Sequence, residues 1–320
     1  MKIIRSKYAG ACYGVNRALS ILDGAVEESL ANGGSRKIAS SADRVEKVSN
    51  EGGVVGSVIT GIAGCGDNAI GSAAVYTLGP IIHNPQVTRE LRSRGVLEAE
   101  TVDGVASGTI VIRSHGVAPS IIEQAEAKGL KVVDATCPHV INAQLAARLL
   151  QEQGYQVLVV GEMGHPEVEG ISAYAREQAI VVKKPTDLPE TLASKKVGVV
   201  VQTTQSEHAL EAIVNELRNR GITPMVHNTI CCATRQRQEA AIELAKTMDV
   251  MVVVGGRNSS NTTRLAELCT LECSQTYHIE SADELDPAWF VGADKVGITA
   301  GASTPENQIE SVEEALENLL

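Results

Sequence analysis

Three of the seven cysteines share one local setting: a β-rich apolar stretch, a cysteine, then a helical pattern. Cys137 follows "KVVDAT" and precedes "PHVINAQLAARLL", Cys12 lies in "MKIIRSKYAGACYGVNRALSIL", and Cys231 lies in "PMVHNTICCATRQRQEAAIELA". The recurrence reads as a divergent internal repeat, so three equivalent thiols predict one shared site. A cysteine just ahead of a helix has its sulfur near free N–H groups and the positive end of the helix dipole, which favours the metal-binding thiolate. An isolated cysteine is more often a small core hydrophobe; the repeat is what argues for ligation. Three thiolates from distant segments suit zinc with a fourth ligand. They equally suit a cubane iron–sulfur cluster with one iron lacking a protein ligand. Cys65, Cys269 and Cys273 read as structural, and Cys232 is expected to point away from its neighbour Cys231.

A second group of residues recurs in polar loops: His83 in "IIHNP", His115 in "RSHGV" and His165 in "GHPEVEG", with Thr203, Thr204, Ser259, Ser260, Asn261 and Ser303. Any one such histidine is commonly a satisfied surface group, and "NSSN" alone is as readily a helix N-cap. Together they form a hydroxyl, amide and imidazole set suited to a phosphate or diphosphate. Glu167 follows His165 by two residues, and in an extended segment such residues share a face, so both would point into the site with one passing protons. The alternative, a solvated acidic loop, fits less well with Gly164 and Gly170 framing a turn.

Elements must bring these residues together. Val/Ile-rich runs at 109–113, 131–134, 156–160, 197–201, 250–254 and 295–299 alternate with helical stretches, an α/β signature in which parallel sheets are expected. Polar loops follow nearly every run, at the strand ends where α/β sheets bind ligands. The 320 residues, 43% of them hydrophobic, suit two or three domains. If each cysteine segment opens a unit, the boundaries fall at 1–136, 137–228 and 229–320. The Gly-rich stretch 33–74 breaks the rhythm and reads as an insertion forming a solvent-side flap, over the site or facing an electron donor.

Composition narrows the partners. A net charge of −11 and eight aromatic residues argue against a nucleic-acid partner. An odd cysteine count with no export signal, and no apolar run of spanning length, predicts a cytoplasmic protein with reduced thiols and no membrane segment. No GxGxxG fingerprint for a nicotinamide or flavin is present.

The motifs resemble those of the LytB/IspH family, the 4-hydroxy-3-methylbut-2-enyl diphosphate reductases that close the methylerythritol phosphate route to isoprenoids. The resemblance runs through residues 1–31 and about 75–305. It rests on "GACYGVNRA", "IIHNPQV", "SHGV", "VVDATCP", "GHPEVEG", "VQTTQS", "ICCATRQRQEA", "NSSNTTRL" and "TAGAS", in that order. It implies three α/β domains in a pseudo-threefold trefoil around a 4Fe-4S cluster held by Cys12, Cys137 and Cys231, with one iron not ligated by cysteine. By the same resemblance His83, His115 and His165 surround the substrate, and Ser259, Ser260, Asn261 and Ser303 grip its diphosphate. Glu167 feeds protons and Thr203 orients the substrate hydroxyl, with Thr204 and Thr234 nearby. The implied reaction takes two electrons and two protons, releases water, and protonates an allylic carbanion-like species at either end to give isopentenyl or dimethylallyl diphosphate. The electrons are expected from a ferredoxin or flavodoxin. Two departures stand out, the 33–74 insertion and Cys232 beside a ligand cysteine. The nearest rival is another three-cysteine cluster enzyme of trefoil architecture such as quinolinate synthase, which would lack the "HPEVEG" and "NSSN" loops. A non-catalytic iron–sulfur sensor or zinc-held scaffold would need the cysteines but not Glu167.

Overall fold

The computed structural model describes residues 1–31, 74–176 and 178–319, so all of the 33–74 stretch except Ala74 lies outside the described residues. In chain order the elements begin with β1 (Lys2–Arg5) and α1 (Tyr13–Ala31), followed by β2 (Val75–Leu78), α2 (Pro85–Ser93), β3 (Leu97–Ala99), β4 (Thr109–Ile112), α3 (Pro119–Ala127) and β5 (Lys131–Asp134). Next come α4 (Pro138–Glu152), β6 (Gln156–Val160), α5 (Pro166–Tyr174), β7 (Ile180–Val182), β8 (Val197–Val201), α6 (Glu207–Asn219) and β9 (Met225–His227). The last are α7 (Cys232–Ala245), β10 (Val250–Val254), α8 (Ser260–Glu272), β11 (Thr276–Ile279), β12 (Lys295–Ala300) and α9 (Glu306–Glu317).

Continuous Val/Ile runs make the central strands because helices cover both faces of each sheet and leave no face for alternating polar residues. Every residue of β8 and β10 is buried. The twelve strands form three parallel four-stranded sheets, ordered β3-β2-β4-β5, β7-β6-β8-β9 and β11-β10-β12-β1. The architecture is a trefoil of three α/β units. In the first two sheets the chain moves outward to one edge, then returns past its starting strand to the other; in the third it returns from β11 past β10 to β12, and β1 supplies the other edge. The switch points therefore lie between β2 and β4, β6 and β8, and β10 and β12, the crevices in which α/β sheets hold ligands.

Each cysteine stands where the chain leaves one sheet for the next. β5 closes the first sheet before Cys137, and α4 then packs Ala143, Ala147 and Leu150 against Val157, Val159 and Val200 of the second. β9 precedes Cys231, after which Ala241 and Ala245 of α7 meet Met251 and Val253 of the third. Strand pairing departs from the expected 1–136 unit at one point. β1 is not part of the sheet that follows it but pairs with β12, Ile3 opposite Val296, while α1 packs Val15, Ala18 and Leu22 on the first sheet. The strand ahead of Cys12 thus belongs with residues 250–300, because α1 crosses between units as α4 and α7 do.

Candidate active site

The switch-point loops and the three cysteine turns open onto one central cavity. Its walls include Cys12, Cys137 and Cys231, His83, His115 and His165, Glu167, Thr203, Thr204, Thr234, Ser259, Ser260, Asn261 and Ser303, so every candidate ligand, substrate-binding and proton-transfer residue is brought together there. The N-terminal ends of α1, α4, α5, α7 and α8 all face it. Five helix N-termini direct the positive ends of their dipoles toward the cavity, and none of its described lining residues is Lys or Arg.

Proline and short caps set the local geometry. Cys137 and Cys231 are the N-cap residues of α4 and α7, and Pro138 starts α4 with its fixed φ. Backbone N–H groups of His139 and Val140 point at Cys137, and those of Ala233 and Thr234 at Cys231. The expected thiolate bias is outweighed, because burial raises both thiols above their ordinary value. Buried thiols of this kind ionise when a metal takes them. All three are unpaired. Gly14 shows how closely they gather, since a methyl there would lie 2.5 Å from the Cys137 sulfur and 3.8 Å from the Cys12 sulfur. The donor set and that cradle fit an iron–sulfur centre. Cys269 and Cys273 are buried between α7 and α8, burial pushing Cys269 up to about 12. Cys232 is exposed, yet ligand atoms of His139, Cys231 and Cys232 lie within 4.8 Å of one another, so it turns away less than expected.

The three histidines form a cluster. Ring centroids lie 4.3 Å apart for His83 and His115, 5.4 Å for His83 and His165, and 5.5 Å for His115 and His165. Burial lowers His83 and His165 to about 4 and His115 well below the ordinary value, so all three rings are neutral at pH 7. Ring nitrogens this close would suit a cation by proximity alone. The tautomer argues otherwise. His165 Nδ1 accepts the Glu167 backbone N–H at 3.1 Å, so the ring proton resides on Nε2, 3.3 Å from the Ser260 hydroxyl. His165 therefore presents a donor to the cavity. Both nitrogens of His83, Nδ1 of His115 and both amide atoms of Asn261 are buried without a partner, an unusual concentration of unsatisfied groups that a polar ligand would satisfy.

His165 and Glu167 meet the site for a reason other than the expected extended segment: His165 is the N-cap of α5, and Glu167 sits in its first turn. Glu167 is 1% exposed. Its carboxylate accepts the Thr203 backbone N–H at 2.6 Å and the Thr203 hydroxyl at 2.9 Å. Burial raises the carboxyl to about 7 despite these bonds. Ser260 links to Thr204 at 3.0 Å and to Gln202 at 3.3 Å, and Ser303 donates to the His83 carbonyl at 3.0 Å.

Sequence reasoning missed two arginines. Arg113 precedes "SHGV" and pairs with no carboxylate among the described residues, and its charge lowers His83, His115 and His165. Arg237 lies on α7, 4% exposed, with its Nη2 donating to the Gly10 carbonyl at 2.7 Å. Its place in "CCATRQRQ", six residues past a ligand candidate on a helix, was the available signal.

Comparison with known proteins agrees with this geometry. The LytB protein family model matches residues 58–317. A 4-hydroxy-3-methylbut-2-enyl diphosphate reductase from Geotalea uraniireducens (strain Rf4) is 42% identical over 319 residues, covering 100% of this chain and 98% of the relative. One from Trichlorobacter lovleyi is 50% identical over 244 residues, 76% of this chain and 87% of the relative. Among solved structures, one of (E)-4-hydroxy-3-methyl-but-2-enyl diphosphate reductase, the terminal enzyme of the non-mevalonate pathway, aligns with a TM-score of 0.63 at 39% identity, covering 99% of this chain and 100% of the other. A reductase structure from Plasmodium falciparum gives a TM-score of 0.81 at 23% identity, covering 99% and 88%, and shares the fold. From motif order, trefoil and full-length identity together, the chain belongs to the LytB family.

Proposed function

We infer that this chain reduces 4-hydroxy-3-methylbut-2-enyl diphosphate, the substrate in its relatives' names, and that the products are isopentenyl and dimethylallyl diphosphate. One observation carries the reading: three unpaired thiols, three neutral imidazoles and a carboxyl poised near pH 7 open onto a single cavity ringed by helix N-termini. The net change converts the allylic alcohol, two electrons and two protons into alkene and water.

Cys12, Cys137 and Cys231 would hold a 4Fe-4S cluster, leaving one iron without a cysteine, and the bound cluster would supply single electrons and a Lewis acid. The unsatisfied His83, His115 and Asn261 groups, with His165 Nε2–H and the Ser259, Ser260 and Ser303 hydroxyls, bind the diphosphate. Neutral donors and helix dipoles bring less desolvation cost than buried lysines would. Glu167 holds a proton at its carboxyl. The Thr203 hydroxyl, which bonds that carboxyl, orients the substrate hydroxyl and relays the proton so that water leaves. His165, joined to Glu167 through the α5 N-terminus, fixes that carboxyl relative to the diphosphate, and Thr204 and Thr234 flank the relay. The cavity walls keep bulk water from the carbanion-like species. A ferredoxin or flavodoxin delivers the electrons, in keeping with the missing nicotinamide and flavin fingerprints.

The test is a Mössbauer spectrum of anaerobic, isotopically enriched protein with and without substrate. One distinct iron that shifts on adding the diphosphate is the expected result; a full cluster indifferent to it would sink the substrate assignment.

A further inference from the structure

Arg237 is a buried cation without a buried anion. Its side chain is 4% exposed on α7, six residues beyond Cys231. Nη2 donates to the Gly10 carbonyl at 2.7 Å and Nη1 to the Ala233 carbonyl at 3.2 Å, while Nε has no partner. No carboxylate pairs with it among the described residues, and the ionisable groups whose charge would reach it are the sulfurs of Cys12 and Cys231. A guanidinium removed from water with only carbonyl partners is costly unless an opposite charge lies close by. Three thiolates around an oxidised cubane leave that anion beside it. The same side chain ties the turn before Cys12 to the helix after Cys231, so it spans two ligand loops and stays fixed relative to both.

We propose that Arg237 is the positioning residue that sets the reduction potential of the iron–sulfur centre, its buried charge stabilising the reduced form over the oxidised one. The proposal rests on the three-cysteine cluster reading. In the couple concerned the oxidised cluster takes one electron from a reduced donor protein, and no bond forms or breaks. A nearby fixed positive charge favours the more negative, reduced state, and low solvent access keeps that effect from being screened. Arg17, on α1, donates from Nη1 to the Thr136 carbonyl at 3.0 Å beside Cys137, a second guanidinium tied to a ligand loop but only half-buried. It is the internal comparison.

The experiment compares anaerobic, cluster-loaded parent, R237Q, R237K and R17Q. Iron and sulfide content are measured first and the midpoint potential by redox titration second. The expected result is parental cluster content in R237Q with the one-electron equilibrium constant about tenfold less favourable to reduction, a midpoint about 59 mV more negative. R237K returns most of the difference, and R17Q shifts less. R237Q with a full cluster and the parental potential would overturn the proposal and leave Arg237 a packing residue. Should R237Q lose the cluster, R237K decides: a full cluster at the parental potential supports a role for charge, whereas a fall in potential or no cluster overturns it. A parent that binds no cluster fails at the content measurement, which identifies the cluster reading as the fault.

Discussion

The Glu167–Thr203 pair makes the sharpest prediction. A carboxyl at about 7 is close to nine-tenths protonated at pH 6 and about one-tenth at pH 8. If it is the acid that lets water leave, single-turnover rates of pre-reduced enzyme fall roughly tenfold between those values as pH rises. Replacing Thr203 by Val removes the 2.9 Å hydroxyl bond but keeps the 2.6 Å backbone bond. A hydrogen bond to a charged group contributes about 1.5–3 kcal/mol, so the falling limb moves alkaline by about 1–2 pH units. E167Q should abolish the limb and lower the rate by about 10²–10⁴ with the cluster retained. Stability supplies an independent check. The folded-state value lies above the ordinary 4.5, so the favourable contribution is whole below pH 4.5 and is lost as pH rises through about 7. The total is about 3 kcal/mol. The stability of E167Q relative to the parent therefore climbs over that window and levels off above it. A flat rate from pH 6 to 8 in the parent, or a limb unmoved in T203V, would refute the assignment.

Further outcomes follow from the same geometry. H83A should raise the substrate KM tenfold or more at unchanged cluster content, by loss of a bond to a charged group. No histidine limb should appear in kcat/KM above pH 5, because His83 and His165 sit near 4. R113Q should raise KM several-fold with kcat little changed, by less at high salt, since Arg113's charge reaches all three histidines from behind the site. G14A should cost cluster content, its methyl lying 2.5 Å from the Cys137 sulfur. G24A on the same helix meets nothing within 4 Å and should stabilise by up to about 1 kcal/mol in thermal unfolding.

How much of this was legible depends on how local each signal is. The strand runs 156–160, 197–201 and 250–254 coincide with β6, β8 and β10 because buried parallel strands need unbroken apolar sequence. The edge strands β3, β7 and β11 escaped notice because three or four residues at a half-covered edge carry no comparable pattern. The residues that the cavity gathers could be proposed from sequence because they lie in the segments that follow strand ends, where α/β loops carry chemistry. What sequence could not supply were long-range effects: the pairing of β1 with β12, the burial that outweighs the helix dipole at Cys137 and Cys231, and the burial of the Arg113 and Arg237 guanidinium groups.

The pairing of β1 with β12 also dictates an order of events during synthesis. Residues 2–5 leave the ribosome early, but their register is set by residues 295–298, and the Cys12 N–H bonds the Ala302 carbonyl at 3.0 Å. The first two sheets can fold as they emerge, while the Cys12 turn waits for nearly the whole chain. So long a loop closure is entropically slow. If Cys12, Cys137 and Cys231 hold the cluster as proposed, its insertion is a late step, acting on a chain whose other two thiols are already in place, and a nascent fragment ending before β12 would present an incomplete set of thiols.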